Sequence, residues 1–440
     1  MTALPRLFLA LLLACAAFSA SAADIRRVES PGGIVGWLVS DDTVPLLAVK
    51  FAFTGGAAQD PDGKAGVANM VSGLLDEGAG DMDAQQFQRR AEELAIRYNF
   101  DAGRDAFYGE LRTLSENIDA AVDLVRIAIS SPRFDEDAVE RIRGQIVSGL
   151  RGDINDPDTI ASRAWMQAIF GDHPYGRPID GTMESVARIG RDDLVAFASA
   201  NFARDNLHVA AVGDISEEAF GLLLDRMFSG LPETASLRTV PQASLAARPF
   251  ETVIDTDVPQ TVIQFGGPGL MRHDPDFVPA YVLNHLLGGG TFTSRLYDEI
   301  REKRGLAYGV DTYLYPLDHA ALFGGGVATR GERAAESLRI IREEIARIAA
   351  DGPTQAELDE AKAYLKGSYP LRFDTSGKIA GQLLQIQIEE LGIDYIERRN
   401  SLIDAVTIDD VRRAAGRLFA DGAPYVTIVG RKAALENSGG

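Results

Sequence analysis

The chain has 440 residues, of which 46% are hydrophobic and 25% are charged, and this is the composition of an ordinary globular protein. It excludes a disordered protein and leaves enough apolar residues for two or more cores. The formal net charge of −20 at pH 7 argues against nucleic acid and anionic lipid headgroups as partners, although such a charge also serves solubility alone.

The first 22 residues have the pattern of a secretory signal peptide. Arg6 precedes an apolar run over residues 7–18, and the small residues at 20–22 form a cleavage site, so we expect the protein to be secreted, into the bacterial periplasm. Cys15, the single cysteine of the sequence, lies in this signal, and lipid attachment there is the alternative. No later stretch approaches the ~18 apolar residues that a spanning helix needs.

The stretch GVANMVSGLLDEGAG, residues 66–80, has the pattern of an amphipathic helix. Its apolar stripe consists of Val67, Met70, Val71, Leu74 and Leu75. Its opposite stripe consists of Asn69, Ser72, Gly73 and Asp76. A metal-binding helix carries its ligands on such a stripe, yet this one offers mainly an amide, a hydroxyl and a bare backbone.

Two pairs of repeated segments predict two similar halves. Residues 189–213 match residues 406–430 without a gap, and each copy begins with a helix opened by Asp-Asp and ends with a strand. In the second pair, helices begin after Pro132 and Pro353. Each half opens with strands, at residues 36–53 and 251–265, before its helices. This order favours an α+β fold, in which each half is a largely antiparallel sheet with helices on one face.

These patterns divide the chain into four predicted segments. The signal peptide covers residues 1–22, an N-terminal domain covers 23–230, a Pro-rich linker covers 231–248, and a C-terminal domain covers 249–440. The five histidines offer no pair three to five residues apart, so no single helix presents two histidine ligands to a metal.

The chain resembles the insulinase/pitrilysin-type peptidases, which include the mitochondrial processing peptidases and their bacterial relatives. The resemblance covers nearly all of the predicted mature chain. It rests on residues 55–66 (GGAAQDPDGKAG), the helix that follows, residues 172–178 (DHPYGRP) and residues 301–308 (REKRGLAY). It implies two homologous peptidase-like halves that form a clam-like chamber, and a zinc helix with the motif His-x-x-Glu-His.

The zinc-binding residues of this family are replaced in the chain. By the resemblance, Asn69 and Gly73 occupy the positions of the two histidines, Ser72 occupies that of the glutamate base, and the third ligand falls at about Gly149. These four positions are a vacated zinc site, because none of them offers a metal-binding side chain of the usual kind. The resemblance therefore implies no metal in this chain and Zn²⁺ on a homologous partner subunit.

An arginine and a tyrosine of the family's active site are retained. Arg301 and Tyr308 have the spacing of the pair that the C-terminal half contributes, and the resemblance implies that Tyr308 binds the developing oxyanion while Arg301 binds a substrate carbonyl or orients the site. The alternative is a helix end, with Gly305 as its C-cap, in which Arg301 is a surface ion-pair partner and Tyr308 packs in a strand.

Two further segments are candidates for substrate binding. Asn99, Phe100 and Asp101 match the family's edge strand, to which a peptide is added by main-chain pairing. Gly324 and Gly325 lie in a predicted strand where small residues allow another backbone to approach. An ordinary edge strand and a simple bend are the alternatives.

Three functions remain open from the sequence. The chain is the zinc-less subunit of a heteromeric metallopeptidase that cuts peptides or unfolded proteins and that is inactive alone, or a non-catalytic peptide-binding or structural core-type subunit, or an unrelated ligand-binding protein that shares only the fold. The retained Arg301 and Tyr308 favour the first.

Overall fold

The structure is a computed structural model that describes residues 24–420, 422 and 424–431. The predicted signal peptide and Cys15 lie outside the described residues. Within the described part of the chain, no helix has the length and apolarity that crossing a bilayer requires.

The N-terminal half is built on a six-stranded sheet with the strand order β1-β2-β8-β3-β7-β6. Its strands are β1 (Ile25–Glu29), β2 (Val35–Ser40), β3 (Leu46–Thr54), β6 (Arg97–Ala102), β7 (Ala106–Leu114) and β8 (Leu207–Gly213). A separate short ribbon consists of β4 (Gly78–Ala79) and β5 (Met82–Asp83). All neighbours in the large sheet are antiparallel except β2 and β8, which are parallel.

The helices of this half pack mainly on one face of its sheet, around a core that includes Phe51, Phe107 and Phe228. They are α1 (Val67–Ser72), α2 (Ala84–Glu93), α3 (Ile118–Ser130), α4 (Glu136–Asp153), α5 (Pro157–Phe170), α6 (Met183–Val186), α7 (Arg191–Asn201) and α8 (Glu217–Phe228).

The C-terminal half has a five-stranded sheet with the order β11-β12-β10-β13-β9. Its strands are β9 (Glu251–Asp255), β10 (Thr261–Pro268), β11 (Ala307–Leu317), β12 (Ala320–Thr329) and β13 (Tyr425–Gly430). Its helices are α9 (Phe277–Asn284), α10 (Arg295–Tyr297), α11 (Ala334–Asp351), α12 (Gln355–Gly367), α13 (Ser376–Ile388), α14 (Tyr395–Ala405) and α15 (Ile408–Leu418). Helices α9 and α10 each continue as a turn of π-helix.

The two halves repeat one plan, as the sequence predicts. Helix α7 and helix α15 correspond residue by residue, and the strands that follow them, β8 and β13, both end in glycine. In each sheet this strand lies between a parallel neighbour (β2 or β9) and a long antiparallel one (β3 or β10). The α+β class and the two homologous halves are confirmed.

Each half also sends one helix across to the other half. Helix α5 of the N-terminal half packs on the C-terminal sheet, and helix α13 of the C-terminal half packs on the N-terminal sheet. Each exchanged helix donates a side-chain hydrogen bond to a backbone carbonyl of the sheet on which it packs. Trp165 Nε1 donates to the Tyr425 carbonyl at 3.1 Å, and Gln387 Nε2 donates to the Val209 carbonyl at 2.9 Å. The second face of each sheet is therefore covered in part by a helix from the other half.

Residues 231–248, the predicted linker, contain no helix or strand and lie against both halves. The N–H of Ala246 donates to Ile169 O in the N-terminal half, and the N–H of Ala243 donates to His319 O in the C-terminal half, both at 2.9 Å. The segment is thereby held in the junction between the halves.

Candidate functional site

The helix at the vacated zinc positions is shorter than its hydrophobic pattern predicts. Residues 66–80 were expected to form one helix, but α1 ends at Ser72 and turns follow it. Gly78 and Gly80 have φ values of 114° and 57°, a left-handed region that a helix does not use. The apolar stripe is nevertheless fully buried through Leu74 and Leu75, so the pattern identified the buried side chains correctly.

At two of the vacated positions, Ser72 and Gly73, the fold makes a close contact of its own. Ser72 Oγ donates to the Asn69 carbonyl at 2.8 Å, so the serine hydroxyl bonds to its own helix. A Cβ atom at Gly73 would lie 3.3 Å from Cγ2 of Ile142, so the isoleucine side chain of α4 packs closely against the position of the second histidine. Gly149 is exposed on α4 with open space around it. In the described part of the chain, no group of three or more His, Cys, Asp or Glu residues is placed to hold a metal.

A buried carboxylate anchors the start of this helix. Asp60 is 1% exposed and accepts hydrogen bonds from the backbone N–H groups of Gly66, at 2.7 Å, and Ala68, at 2.9 Å. N–H groups at a helix start have no partner within the helix, and Asp60 supplies one. Burial raises the pKa of Asp60 to about 7, and the backbone N–H groups oppose this shift because they stabilise the charged form.

We expect Asp60 to make the free energy of unfolding fall as the pH rises from about 4 to about 7. Its pKa is about 7 in the folded chain against an ordinary 3.8, so over this window the folded state keeps a proton that the unfolded state has lost, and a rising pH therefore favours the unfolded state. Asp60→Asn removes the titration and one acceptor, which costs about 1 to 3 kcal/mol. Urea unfolding at several pH values should give a flatter profile for the variant, and parallel profiles would contradict the assignment.

The structure brings Arg301 and Tyr308 together at one end of the edge strand β11. Arg301 lies in the π-helical turn after α10, and Gly305, with φ 59°, ends that turn and leads into β11. Arg301 Nη1 donates to the Tyr308 carbonyl at 3.0 Å, and its guanidinium lies 4.5 Å from the centre of the Tyr308 ring. Tyr308 is 85% exposed, so its ring packs on the guanidinium and presents the hydroxyl to solvent.

Two aromatic residues that the sequence analysis did not single out extend this pair. The Arg301 guanidinium also lies 5.0 Å from the ring centre of Tyr297, which is 3% exposed. Phe292 packs edge-on against Tyr297, with 5.3 Å between ring centres, and is itself 73% exposed. Arg301 is thus held between a buried and an exposed tyrosine. The sequence signals for these two residues are the i, i+4 spacing of Tyr297 and Arg301, and an aromatic residue separated from a glycine run by one threonine.

The segment with Asn99, Phe100 and Asp101 is an edge strand. It lies in β6, which pairs within the described sheet only with β7, at Asn99 with Glu110 and at Asp101 with Tyr108. Asn99 and Asp101 are exposed, whereas Phe100 faces the core. The backbone along the outer side of β6 is therefore available for pairing with another strand.

Gly324 and Gly325 lie inside the other sheet rather than at an edge. They belong to β12, which is paired on both sides, with β10 and β11. A Cβ at Gly324 would come within 2.6 Å of the Tyr313 ring, and one at Gly325 within 2.5 Å of the Phe265 ring. The close approach that these glycines permit is made by aromatic rings of the same sheet.

Two homologous α+β halves, exchanged helices and an N-terminal metal helix without ligands define the class: a zinc-less homologue of a two-domain metallopeptidase. The comparisons with known proteins agree. The model of the insulinase family, peptidase family M16, matches residues 37–183, and the model described as the peptidase M16 inactive domain matches residues 188–365. The chain belongs to the M16 insulinase family.

Individual relatives include both a non-peptidase homolog and proteins named as zinc proteases. The non-peptidase homolog YmxG of Helicobacter pylori is 28% identical over 333 residues, which are 76% of this chain and 77% of the relative. An uncharacterized zinc protease of Streptomyces coelicolor is 27% identical over 425 residues, 92% and 89% of the two chains. The crystal structure of a peptidase M16 inactive domain from Pseudomonas fluorescens superimposes with a TM-score of 0.87 at 27% identity, over 93% of this chain and 98% of that one. The chain is an inactive M16 peptidase homologue.

Proposed function

We propose that this chain is the zinc-less subunit of a secreted heteromeric metallopeptidase. It supplies Arg301 and Tyr308 to a homologous partner that carries His-x-x-Glu-His, and the complex cleaves peptides or unfolded proteins. The observation that carries the proposal is the preservation of an exposed, arginine-braced tyrosine in a chain without zinc ligands. Because the ring is 85% exposed, it contributes little to the buried core, and its hydroxyl is open to a substrate.

In this proposal the chain's own residues bind and orient the substrate. The Tyr308 hydroxyl donates to the oxygen of the scissile carbonyl as negative charge develops there, and Arg301 fixes the tyrosine while its remaining N–H groups bind a substrate carbonyl. The metal and its bound water belong to the partner, because no ligand stands at Asn69, Ser72, Gly73 or Gly149.

The substrate chamber is proposed to lie between two chains. Within this chain, helices α5 and α13 occupy the space against the second face of each sheet, so the halves face each other through packed side chains. A homodimer supplies two copies of Arg301 and Tyr308 and no zinc ligands, which makes a homologous second subunit necessary for catalysis.

A second candidate function rests on the edge strand β6. Its unpaired outer edge, with Asn99 and Asp101 exposed, suits an extended peptide added as a further strand, and this mode needs no catalytic group. The chain would then be a non-catalytic peptide-binding or structural subunit.

The test is reconstitution with a secreted M16 chain that carries His-x-x-Glu-His, encoded beside this one. We expect the two chains to co-purify, each chain alone to leave a quenched fluorescent peptide uncleaved, and the mixture to cleave it. EDTA should abolish this activity and Zn²⁺ should restore it, because the complex depends on the partner's metal. A mixture no more active than the zinc-binding chain alone refutes the proposal, and stable peptide retention without cleavage supports the second candidate.

A further inference from the structure

A cleft of about 390 Å³ lies in the C-terminal half, where helices α9 and α14 approach the exchanged helix α13 and the strand β11. Its volume is within the range of about 300 to 1,000 Å³ that is typical of small-molecule sites. Rings form much of its wall: Phe277, Tyr281, Tyr313, Tyr369 and Tyr395. Its lining does not include Arg301 or Tyr308, so the cleft is separate from the peptidase site.

One wall of the cleft contains a buried arginine with neutral contacts. Arg399 is 5% exposed, and its guanidinium stacks 4.0 Å from the centre of the Tyr369 ring. Its Nη2 donates to the Tyr281 hydroxyl and its Nη1 to the Leu365 carbonyl, both at 3.2 Å. No carboxylate of a described residue lies within 4.0 Å of it. A buried charge is costly unless it is paired, and an anionic ligand would pair it.

The acidic residue in the wall does not neutralise this arginine. Glu389, the single acid among the described lining residues, is bonded by Arg272 Nε and, at 2.8 Å, by Gln385 Nε2. With Arg372, which is exposed at the rim, the lining has three arginines and one glutamate, a formal charge of +2 in a chain whose net charge is −20. The formal charge of the cleft lining is thus positive, whereas the net charge of the protein is negative.

We propose that this cleft binds a small organic oxyanion, a carboxylate or a phosphate on an aromatic or apolar body. Arg399 and Arg372 bind the anion, since the guanidinium fork matches the geometry of both groups. Tyr281 accepts a hydrogen bond from Arg399 and is left with its own proton to donate to the ligand. The ligand's body packs on the rings of Tyr313 and Tyr369.

The experiment measures binding to the purified protein by calorimetry and by thermal unfolding. The probes are 3-phenylpropionate and phenyl phosphate, with phenethylamine as a cation of similar shape and inorganic phosphate as an anion without a body. We expect one or both aromatic anions to bind saturably and raise the unfolding temperature, and their relative affinity identifies the head group. The amine should not bind, and phosphate alone should bind far more weakly. Failure of both aromatic anions to bind at millimolar concentration overturns the proposal.

Variants locate the binding. Arg372→Gln and Tyr281→Phe each remove a group that contacts the ligand, and neither removes a buried charge. Arg372→Gln should weaken binding about 10- to 100-fold, and Tyr281→Phe should weaken it less. Arg399→Gln should abolish it, and because this residue is buried the first two variants carry the test if it fails to fold. Arg339→Gln, an exposed change at a residue paired with Glu343, is the matched control. Unchanged affinity in both Arg372→Gln and Tyr281→Phe overturns the assignment.

Discussion

Tyr308→Phe is expected to lower kcat/KM of the proposed heteromeric peptidase about 10²- to 10³-fold, which is the usual effect of removing one donor to a developing oxyanion. The substitution leaves the ring in place on the Arg301 guanidinium and removes only the hydroxyl. Because Tyr308 is 85% exposed and its ring contacts remain, the variant should fold and assemble as the wild type does. The loss should fall mainly on kcat, since the bond forms in the transition state.

Arg301→Ala should have a different kinetic signature. The arginine braces Tyr308 through its main-chain carbonyl at 3.0 Å and through its ring, and in the proposed function it also binds the substrate. Its removal should therefore raise KM as well as lower kcat. Arg301→Lys should restore little of the lost activity, because an ammonium group does not reproduce the planar guanidinium, which donates hydrogen bonds and stacks on a ring at the same time.

Matched controls separate catalysis from general damage. Tyr364→Phe changes another exposed tyrosine, whose ring stacks on His285 and would keep that contact. Arg339→Ala removes an exposed arginine that pairs with Glu343. Both should leave kcat/KM of the mixture unchanged. Wild-type kinetics for Tyr308→Phe in a complex that depends on this chain would show that the hydroxyl has no part in the reaction.

Much of the fold could be predicted because the chain contains its plan twice. The repeat at 189–213 and 406–430 marks one helix and one strand in each half, and the structure places both pairs in corresponding positions. The buried stripe of residues 66–80 was also correctly identified, because burial follows periodicity even where the backbone leaves the helix. The helix nevertheless ends at Ser72, and the positive φ values of Gly78 and Gly80 keep the later part of the segment out of a helix, which periodicity does not register.

The exchanged helices could not be predicted from local pattern. Hydrophobic periodicity shows that α5 and α13 have apolar faces, but not which sheet each face meets, because both sheets offer similar small and aliphatic side chains. The same limit applies to the candidate site. The family resemblance singled out Arg301 and Tyr308, whereas the Tyr297 ring beneath the arginine and the exposed Phe292 lie beside the π-helical turns at 285–289 and 298–302, which the sequence pattern does not show.

A second large effect is expected on stability, from a substitution at the junction between the halves. Trp165→Ala should lower the free energy of unfolding by about 3 to 5 kcal/mol, the usual cost of truncating a buried tryptophan. Trp165 is 1% exposed and belongs to a cluster with Leu322 and Tyr425 of the other half. Its ring fits against Gly266, where a Cβ would lie 2.8 Å from Cζ2 of Trp165, so a glycine, which has no side chain, lines this side of the cavity. The substitution also removes the hydrogen bond that the indole N–H donates to the Tyr425 carbonyl.

Urea unfolding followed by tyrosine fluorescence and circular dichroism measures this loss, and Phe228→Ala is the matched control. Phe228 is as deeply buried, but its contacts lie within the N-terminal core, so its truncation should destabilise that half without uncoupling the two. Because α5 joins the halves through Trp165, Trp165→Ala should also lower the m-value or split the transition in two. A loss below about 1 kcal/mol with an unchanged m-value would mean that the other exchanged helix, α13, holds the halves together without this contact.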